Sequence, residues 1–438
     1  MRGQGEGPEQ LPQKVIGAVL KDKGIALAVV FCGLGVCVFA KDTLSPLTWS
    51  ECVSIALRQN PDLASARAGK AASKASLRGS YNGVMPTLDL TNSYTDAQGA
   101  NNALWTAQAS ANLNVLDASA LAGIKSASAL LAQATARQRL ASAQLRLDLR
   151  TAFLRRLFDD KDVEVSRNIE DLRRKSAQLV ALRYESGRES KGNKLRADAQ
   201  YMEATAELAQ ARRRIRADQR ALYRRLGLET VDDAPVAGVL EAAEPPSLPA
   251  DIQNIADQRP DVLVQRAGIA VAQADVRRAQ SPLWPALSAG YARFRTGASE
   301  FPSDNSGWSF RGILDYPLFG GGPTATYYQI TAARQNLEKA QQDLRSVRDQ
   351  AMADVETAWS AYATAAENAR VQAALLDAAR QRNAEADVRY NSGLLTYDSW
   401  EIIVTDRVSQ ERQAIQSQLT AATAQAAWEN ALGKSLEE

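Results

Sequence analysis

The chain has no histidine, few cysteines and no excess of charge of either sign. The absence of histidine from the 438 residues removes the commonest metal ligand and the usual general base at neutral pH. There are three cysteines, and 52 basic residues nearly balance 50 acidic ones. This balance gives no general attraction to nucleic acid or to an anionic surface. The absences do not exclude an enzyme, but they count against one, and no phosphate loop, metal cluster or nucleophile motif stands out.

Residues 1–40 have the pattern of a secretory signal peptide. Lysines precede an uncharged apolar run over residues 24–40, which ends in Val38-Phe39-Ala40 with a small residue at the cleavage position. The run is 17 residues long, slightly short for a membrane-spanning helix, so a retained N-terminal anchor is the alternative. Cleavage after Ala40 would leave Cys52 as the one remaining cysteine, and no internal disulfide could form.

The chain contains an internal duplication. Four landmarks recur in the same order at two offsets, 199 and then 206 residues. The matched positions are Pro61 and Pro260, Pro86 and Pro285, Tyr184 and Tyr390, and Gly227 and Gly433. The duplication predicts a first structural repeat over residues 41–230 and a second over 250–438. Residues 231–249, rich in Ala, Pro, Glu and Asp, are predicted to link them.

Each repeat is predicted to begin with a helix and to continue with two strands. Thr48 followed by Glu51 is typical of a capping box, and the helix that it opens is predicted to run to about Gly83. Alternation of polar and apolar residues then predicts a β-hairpin in each repeat. The strands are predicted at about 87–96 and 103–116, and at about 286–296 and 307–318.

A long helical hairpin is predicted to complete each repeat. Helical periodicity extends over residues 118–186 and 323–392, each about 100 Å long at 1.5 Å per residue. A Tyr-x-Ser-Gly sequence ends each run, beginning at Tyr184 and at Tyr390, and another helical run follows. Because glycine takes a positive φ without steric cost, these breaks are predicted to be the tips of antiparallel helical hairpins.

Four strands cannot close a membrane barrel by themselves. Bacterial single-chain barrels have at least eight strands, and open strand edges are not tolerated in lipid. The strands therefore predict an oligomer that shares one barrel, and three copies would give about twelve strands, enough to leave a lumen. The helical hairpins would continue this barrel as a tube.

A set of duplicated motifs carries a family resemblance. The motifs are the run from Ala56 to Leu63 with its echo at 259–262, Pro86 and Pro285 before the strands, Pro317-Leu318-Phe319-Gly320-Gly321-Gly322 after the last strand, and both tips. Each motif is weak alone, but the ordered and duplicated set is specific. Over residues 45–435 the chain resembles the TolC-type outer-membrane efflux factors, the outer membrane factor family.

The resemblance implies a mostly α-helical protein with a β-barrel contribution. It implies a homotrimer with a twelve-stranded barrel in the outer membrane of a Gram-negative bacterium and an α-helical barrel in the periplasm. Such a trimer is a passive exit duct of a tripartite efflux or secretion pump. A periplasmic membrane-fusion adaptor couples it to an inner-membrane transporter of the RND or ABC type. No catalysis, cofactor, metal or nucleic-acid partner is implied.

A periplasmic coiled-coil scaffold or adaptor without channel activity is the competing interpretation. An adaptor normally carries one helical hairpin within a lipoyl-like β domain, whereas this chain has two predicted hairpins in a duplicated order. An enzyme ranks third.

The tips are the predicted adaptor-docking sites. The residues assigned to them are Tyr184, Gly187, Arg188, Tyr390, Gly393, Leu394 and Leu395. For the glycines, the chemistry of the turn is the alternative explanation. Leu394 and Leu395 predict an exposed apolar surface that needs a partner.

The start of the last helix is the predicted aperture. Members of the family often carry two aspartates six and nine residues after the second tip glycine, but here those positions are Ser399 and Ile402. Asp398 and Glu401 lie one residue earlier, three residues apart, and on a helix they would share a face. Three copies would then place six carboxylates around the axis. The alternative is a solvated helix start, in which Asp398 favours the positive end of the helix dipole.

Aromatic residues of the strands are predicted to form a girdle at the membrane interface. They are Tyr94, Trp105, Tyr291, Trp308 and Phe310. The core of a β-sandwich is the alternative.

The densest basic patch lies at Arg212–Arg216, followed by Arg220, Arg224 and Arg225. Since Tyr223 is the one aromatic residue nearby, a nucleic-acid site is disfavoured. Ion pairs with acids such as Asp148, Asp159 and Asp160 on a neighbouring helix are predicted instead.

Overall fold

The computed structural model describes the chain from residue 46 to residue 437 with four short gaps. The described ranges are 46–96, 104–232, 234–302, 305–317 and 322–437. The predicted signal peptide at 1–40 lies outside the described residues, as does most of the motif at 317–322.

The described chain is mostly helical with one small sheet, which confirms the predicted fold class. One order of elements occurs twice. The first set is α1 (Trp49–Gln59), α2 (Pro61–Ser80), β1 (Thr87–Thr95), β2 (Leu104–Leu116), α3 (Ala118–Glu185) and α4 (Lys191–Leu226). The second is α5 (Ile252–Gln258), α6 (Pro260–Gln280), β3 (Ala286–Gly297), β4 (Asn305–Asp315), α7 (Pro323–Asn391) and α8 (Tyr397–Ala431). Short 3₁₀ turns, Tyr81–Val84 and Ser281–Leu283, precede β1 and β3.

The two long helices are continuous over 68 and 69 residues, so each extends for about 100 Å. α3 packs along α4, and α7 packs along α8, as two antiparallel hairpins. Among the described residues, no helix combines the length and the apolarity that crossing a membrane requires.

The first helical pattern is two helices rather than the single one predicted. Thr48 does form a capping box with Glu51 at the start of α1. Asn60, however, is extended (φ −65°, ψ 125°) because the proline ring of Pro61 disfavours a helical conformation in the preceding residue. The Asn60 side chain accepts a hydrogen bond from the Leu63 amide (3.0 Å) and so caps α2. Arg259 before Pro260 is extended in the same way.

In each repeat, a corresponding hydrogen bond joins the end of the repeat to its beginning. The Asn60 side-chain amide donates to the carbonyl of Arg225 (2.8 Å), and the Arg259 guanidinium donates to the carbonyl of Ala431 (3.5 Å). These pairs of positions are related by the offsets of the duplication. Beside them, Gly227 and Gly433 end α4 and α8 with φ of 82° and 81°.

The four strands form one antiparallel sheet in the order β1-β2-β3-β4. Each predicted hairpin is present, and β2 pairs with β3 to join the two repeats. β4 begins at residue 305 and ends at 315, two and three residues before its predicted ends. β1 and β4 are therefore edge strands, each with one partner in the part of the chain that the structure describes.

The largest apolar core lies at the middle of α3, beside the end of α4 and away from the tips. It joins α3 and α4 to α1 and α2 through residues such as Leu149, Phe153, Leu222 and Leu226. Cys52 is a free thiol buried in this core. The hairpin and the opening helices of the first repeat are thus held as one packed unit.

Alanine at Gly227 is expected to destabilise the protein more than alanine at Gly187. Both glycines have positive φ, which costs a residue with a Cβ about 1–2 kcal/mol. A Cβ at Gly227 would also lie 2.3 Å from the carbonyl oxygen of Gln59, whereas one at Gly187 would meet no atom within 4 Å. Thermal unfolding followed by circular dichroism would compare the two variants. Equal midpoints would contradict the close approach of the two ends of the first repeat.

Candidate functional site

Both helical hairpins end in the same turn. Gly187 and Gly393 have φ of 72° and 77°, as the left-handed end of a helix requires. The amides that follow them bond back across the turn: Arg188 donates to the carbonyl of Arg183, and Leu394 to that of Arg389, each at 2.8 Å. Because a Cβ at either glycine would meet no atom within 4 Å, backbone conformation is the reason for glycine here.

Tyr390, one of the residues assigned to docking, joins the two tips, and its side chain is fully buried in the protomer. Its ring stacks on that of Trp400, with centroids 4.5 Å apart and planes at 8°. Its hydroxyl donates to Glu189 (3.0 Å), and its carbonyl accepts from the Arg183 guanidinium (2.7 Å). Burial and the neighbouring Glu189 carboxylate raise the pKa of the Tyr390 hydroxyl, which therefore remains a donor. The aromatic contact with Trp400, 10 residues further along, was not predicted from the sequence.

The remaining predicted docking residues lie at the surface to different degrees. Gly187, Arg188 and Gly393 are exposed, and Leu394 is 79% exposed. Leu395 is half-buried against the cluster that contains Tyr390. Tyr184 is 36% exposed. Leu394 is thus the large apolar side chain that the second tip presents to solvent.

The predicted aperture residues fall on two sides of α8. Asp398, Ser399 and Ile402 are exposed, and Ile402 retains 64% of its surface. Glu401 is 5% exposed, because it lies on the buried face with Trp400. The prediction that Asp398 and Glu401 share an open face therefore does not hold in the protomer. One carboxylate per chain, rather than two, faces solvent at this turn.

Glu401 instead forms a buried polar cluster with α3 and α4. Its carboxylate accepts hydrogen bonds from Gln200 (2.5 Å) and Thr405 (2.6 Å). The guanidinium groups of Arg173 and Arg196 lie 3.6 and 3.4 Å away. Burial alone would raise the pKa of Glu401, but these bonds and charges outweigh it and hold the pKa below its ordinary value. The cluster fixes the start of α8 against the first helical hairpin.

Alanine at Glu401 is expected to destabilise the tips, whereas alanine at Asp398 is not. Removing Glu401 leaves Arg173, whose side chain is 10% exposed, without its carboxylate, at a cost of about 3–5 kcal/mol. Asp398→Ala removes an exposed group and should change stability by less than about 0.5 kcal/mol. Hydrogen exchange of the tip amides at pH 7 would measure both effects.

The stabilising effect of Glu401 should also depend on pH. Because the folded state lowers its pKa, the contribution is complete above the ordinary value of 4.5 and is lost as the pH falls through the lower folded value. The difference between the native chain and Glu401→Ala should therefore shrink below pH 4.5. A difference that persists well below that pH would show that the carboxylate charge is not what stabilises the tip.

The register of the sheet gives it one apolar face and one polar face. Residues directly paired in an antiparallel sheet lie on the same face. One face carries Leu88, Leu90, Tyr94, Trp105, Ala109, Leu113, Leu287, Tyr291, Trp308, Phe310 and Leu314. The other carries Asp89, Thr91, Gln108, Ser110, Asn112, Ser288, Ser309 and Arg311. The exceptions include Arg293 and Arg295 on the first face and Phe294 on the second.

All five predicted girdle residues lie on the apolar face. Tyr94 pairs with Trp105, with ring centroids 5.1 Å apart, at the loop end of the first hairpin. Tyr291 pairs with Phe310 near mid-strand and stacks on Trp308 at 6.5 Å. The alternative of a sandwich core fails within the described residues, because they form one sheet and Trp308 remains 70% exposed.

A second group of exposed aromatic residues lies at the opposite, helical end of the strands. It comprises Tyr81, Trp284, Tyr316, Tyr327 and Tyr328. Four of these residues lie outside the predicted strands and Tyr316 lies within the last one, so alternation along the strands did not reveal the group.

The basic patch forms some of the predicted ion pairs. Arg225 pairs with Asp148 at 3.0 Å, as predicted, and Arg214 pairs with Asp162, an acid not foreseen. Asp160 pairs instead with Arg156 of its own helix. Asp159 is buried, and burial together with the Asp218 carboxyl raises its pKa to about 7.

Within the described ranges, no three cysteine or carboxylate side chains come together as a metal ion would require.

Comparison with known proteins identifies the family. The model of a family described as outer membrane efflux protein matches residues 52–228 and 252–434. The chain belongs to this family. Membership makes it an outer membrane efflux protein rather than an enzyme.

Individual relatives are distant in sequence but similar in fold. Outer membrane protein OprJ of Pseudomonas aeruginosa is 27% identical over 207 residues, which span 44% of this chain and 43% of OprJ. The match thus spans less than half the length of that relative. The outer-membrane channel OprN is 19% identical with a TM-score of 0.77, over 89% of this chain and 90% of that one. The open-state outer membrane channel MtrE of Neisseria gonorrhoeae is 18% identical with a TM-score of 0.79, over 88% and 89%.

Proposed function

We propose that the protein is the outer-membrane exit duct of a tripartite efflux or secretion pump. In this proposal it is a passive trimeric channel, which a periplasmic adaptor couples to an inner-membrane transporter of the RND or ABC type. The observation that carries the proposal is the sheet, which has an apolar face, a polar face and two open edges. Its strands continue into helical hairpins about 100 Å long.

Closure of the barrel follows from the edge strands. The edges of β1 and β4 present backbone groups that must be paired before the apolar face can enter lipid. Pairing β4 of one copy with β1 of the next satisfies both edges. Three copies give about twelve strands, with the apolar face toward lipid and the polar face toward a water-filled lumen.

A matched pair of substitutions on β1 tests which face meets lipid. Leu90 pairs with Ala109 and lies on the apolar face, whereas the adjacent Thr91 pairs with Gln108 and lies on the polar face. Leu90→Arg should weaken membrane insertion by about 2–4 kcal/mol, as a charge near the middle of the bilayer does. Thr91→Arg should insert normally and shift ion selectivity toward anions.

Insertion into liposomes and single-channel conductance in planar bilayers would measure both effects. The native chain should give discrete openings, and Thr91→Arg should keep them. A native chain that folds and oligomerises but never conducts would overturn the duct. Equal impairment by the two arginines would reject this assignment of the faces.

The hairpin tips are proposed to dock the adaptor and to form the periplasmic aperture. Leu394, with Gly187, Arg188 and Gly393 beside it, offers an exposed apolar contact. Asp398, Ser399 and Ile402 remain candidates for the aperture, with three Asp398 carboxylates around the axis in a trimer. Glu401 would support the aperture from behind through its contacts with Arg173.

Two substitutions at the second tip are expected to separate docking from conduction. Leu394→Asp places a charge in the proposed contact with the adaptor. In a strain that lacks its own copy of the gene, this variant should fail to restore resistance to the compounds that the pump exports. Its conductance in bilayers should be unchanged. Asp398→Ala should leave resistance near the native level and lower the preference of the channel for cations. The docking proposal fails if Leu394→Asp supports full resistance. The aperture assignment fails if Asp398→Ala leaves ion selectivity unchanged.

A further inference from the structure

A pocket lies where the two central strands of the sheet meet the helices. Its volume is about 430 Å³, and it is lined by the end of β2, the first turns of α3, the end of α6 and the residues just before β3. Leu116, Leu121 and Trp284 supply apolar walls, and Lys125 and Arg277 supply charge. A pocket of this size can hold a small polar group together with part of an apolar chain.

The pocket is continuous with the apolar face of the sheet. Leu116 pairs with Leu287, which in turn pairs with Leu314, so all three lie on that face. Trp284 is 64% exposed at the same end. An acyl chain lying on the apolar face could therefore extend to the pocket without crossing a polar surface.

The two cations of the pocket lack an acidic partner in the described part of the chain. Lys125 and Arg277 are exposed, and neither is in an ion pair there. The nearby carboxylate of Asp117 is already engaged, since it accepts hydrogen bonds from the amides of Ser119 (2.8 Å) and Ala120 (3.1 Å). Two uncompensated cations beside an apolar wall are suited to a ligand that is anionic at one end.

The second aromatic group places this pocket at the level of a membrane interface. Tyr316, Tyr327 and Trp284 are exposed around the helical end of the sheet, and tyrosine and tryptophan concentrate at that depth in membrane proteins. The pocket lies beneath β2 and β3, the central strands, rather than beneath an edge strand. Pairing of the edges with other copies would therefore leave it open to lipid.

We propose that this pocket binds an anionic phospholipid of the periplasmic leaflet. Lys125 and Arg277 hold the phosphate, and Leu116, Leu121 and Trp284 contact the glycerol and the first part of the acyl chains. The inference rests on the proposed function, because it requires the apolar face to meet lipid. Its consequence is a fixed vertical position for the channel in the membrane, with the bound headgroup marking where the helices leave the bilayer.

Titration of the full-length protein with short-chain lipids, read by native mass spectrometry, tests the proposal. Dioctanoyl-phosphatidylglycerol should bind at least about ten-fold more tightly than dioctanoyl-phosphatidylcholine, since one carries net charge and the other does not. The double variant Lys125→Gln/Arg277→Gln should lose this preference. Trp284→Ala should weaken the binding of both lipids by a similar factor.

The double variant Arg212→Gln/Arg216→Gln is the matched control. It removes the same charge from exposed positions of α4, outside this pocket, and should keep the native preference. Inorganic phosphate at millimolar concentration should not displace the phospholipid. Displacement would show a site for free anions, and it would overturn the proposal, as would a native chain without lipid preference or a Lys125→Gln/Arg277→Gln variant that retains it.

Conductance separates this inference from the proposed function. If Lys125→Gln/Arg277→Gln conducts and still prefers phosphatidylglycerol, the lipid site is rejected and the duct stands. If the native chain neither inserts nor conducts, the duct is rejected together with the lipid site that depends on it.

Discussion

Backbone hydrogen bonding at the two edges of the sheet is the constraint on which the rest of the structure depends. β1 and β4 each have one partner strand in the described chain, so the outer side of each still needs hydrogen-bond partners. Water supplies them in solution, but the interior of a bilayer does not, at a cost of several kcal/mol for each group. The apolar face can therefore enter lipid only when other copies pair with both edges. In the proposed trimer, that pairing would also bring the attached helical hairpins together, so insertion, assembly and the helical tube would have one common cause.

The duplication supplies equivalent backbones but not equivalent tips. The offset of 206 residues relates Trp400 to Lys194 and Tyr390 to Tyr184. In the second repeat the tyrosine stacks on the tryptophan and is buried, while in the first the Lys194 ammonium lies 5.5 Å from the centroid of a partly exposed Tyr184 ring. An indole makes an apolar cluster that excludes water, whereas an ammonium must remain hydrated. The second tip consequently holds the buried contacts, and the first tip packs against it through Arg183.

Periodicity and repeat offsets made the fold predictable, but they did not show which face of α8 is buried. Alternation of polar and apolar residues, strict in β2, indicated both faces of the sheet, and the prolines and glycines marked the ends of most elements. The break at Asn60 could also have been foreseen, because Pro61 was in view. The burial of Glu401 could not have been foreseen. It depends on Arg173, more than two hundred residues away, and a spacing of three residues shows that two side chains share a face without showing which way that face points.

The chemistry of the polar face bears on where the cargo of such a duct would be selected. Serine, threonine, asparagine and glutamine predominate on that face, with Asp89 and Arg311 among its few charges. Small neutral side chains bond readily to water, so a solute gains little by replacing that water. Specific recognition instead requires concave sites with convergent charged or apolar groups. The described strands place few charged and few apolar side chains on the polar face. On the proposed arrangement the wall would conduct without discriminating, and selection of the cargo would fall to the inner-membrane transporter before the cargo reaches the duct.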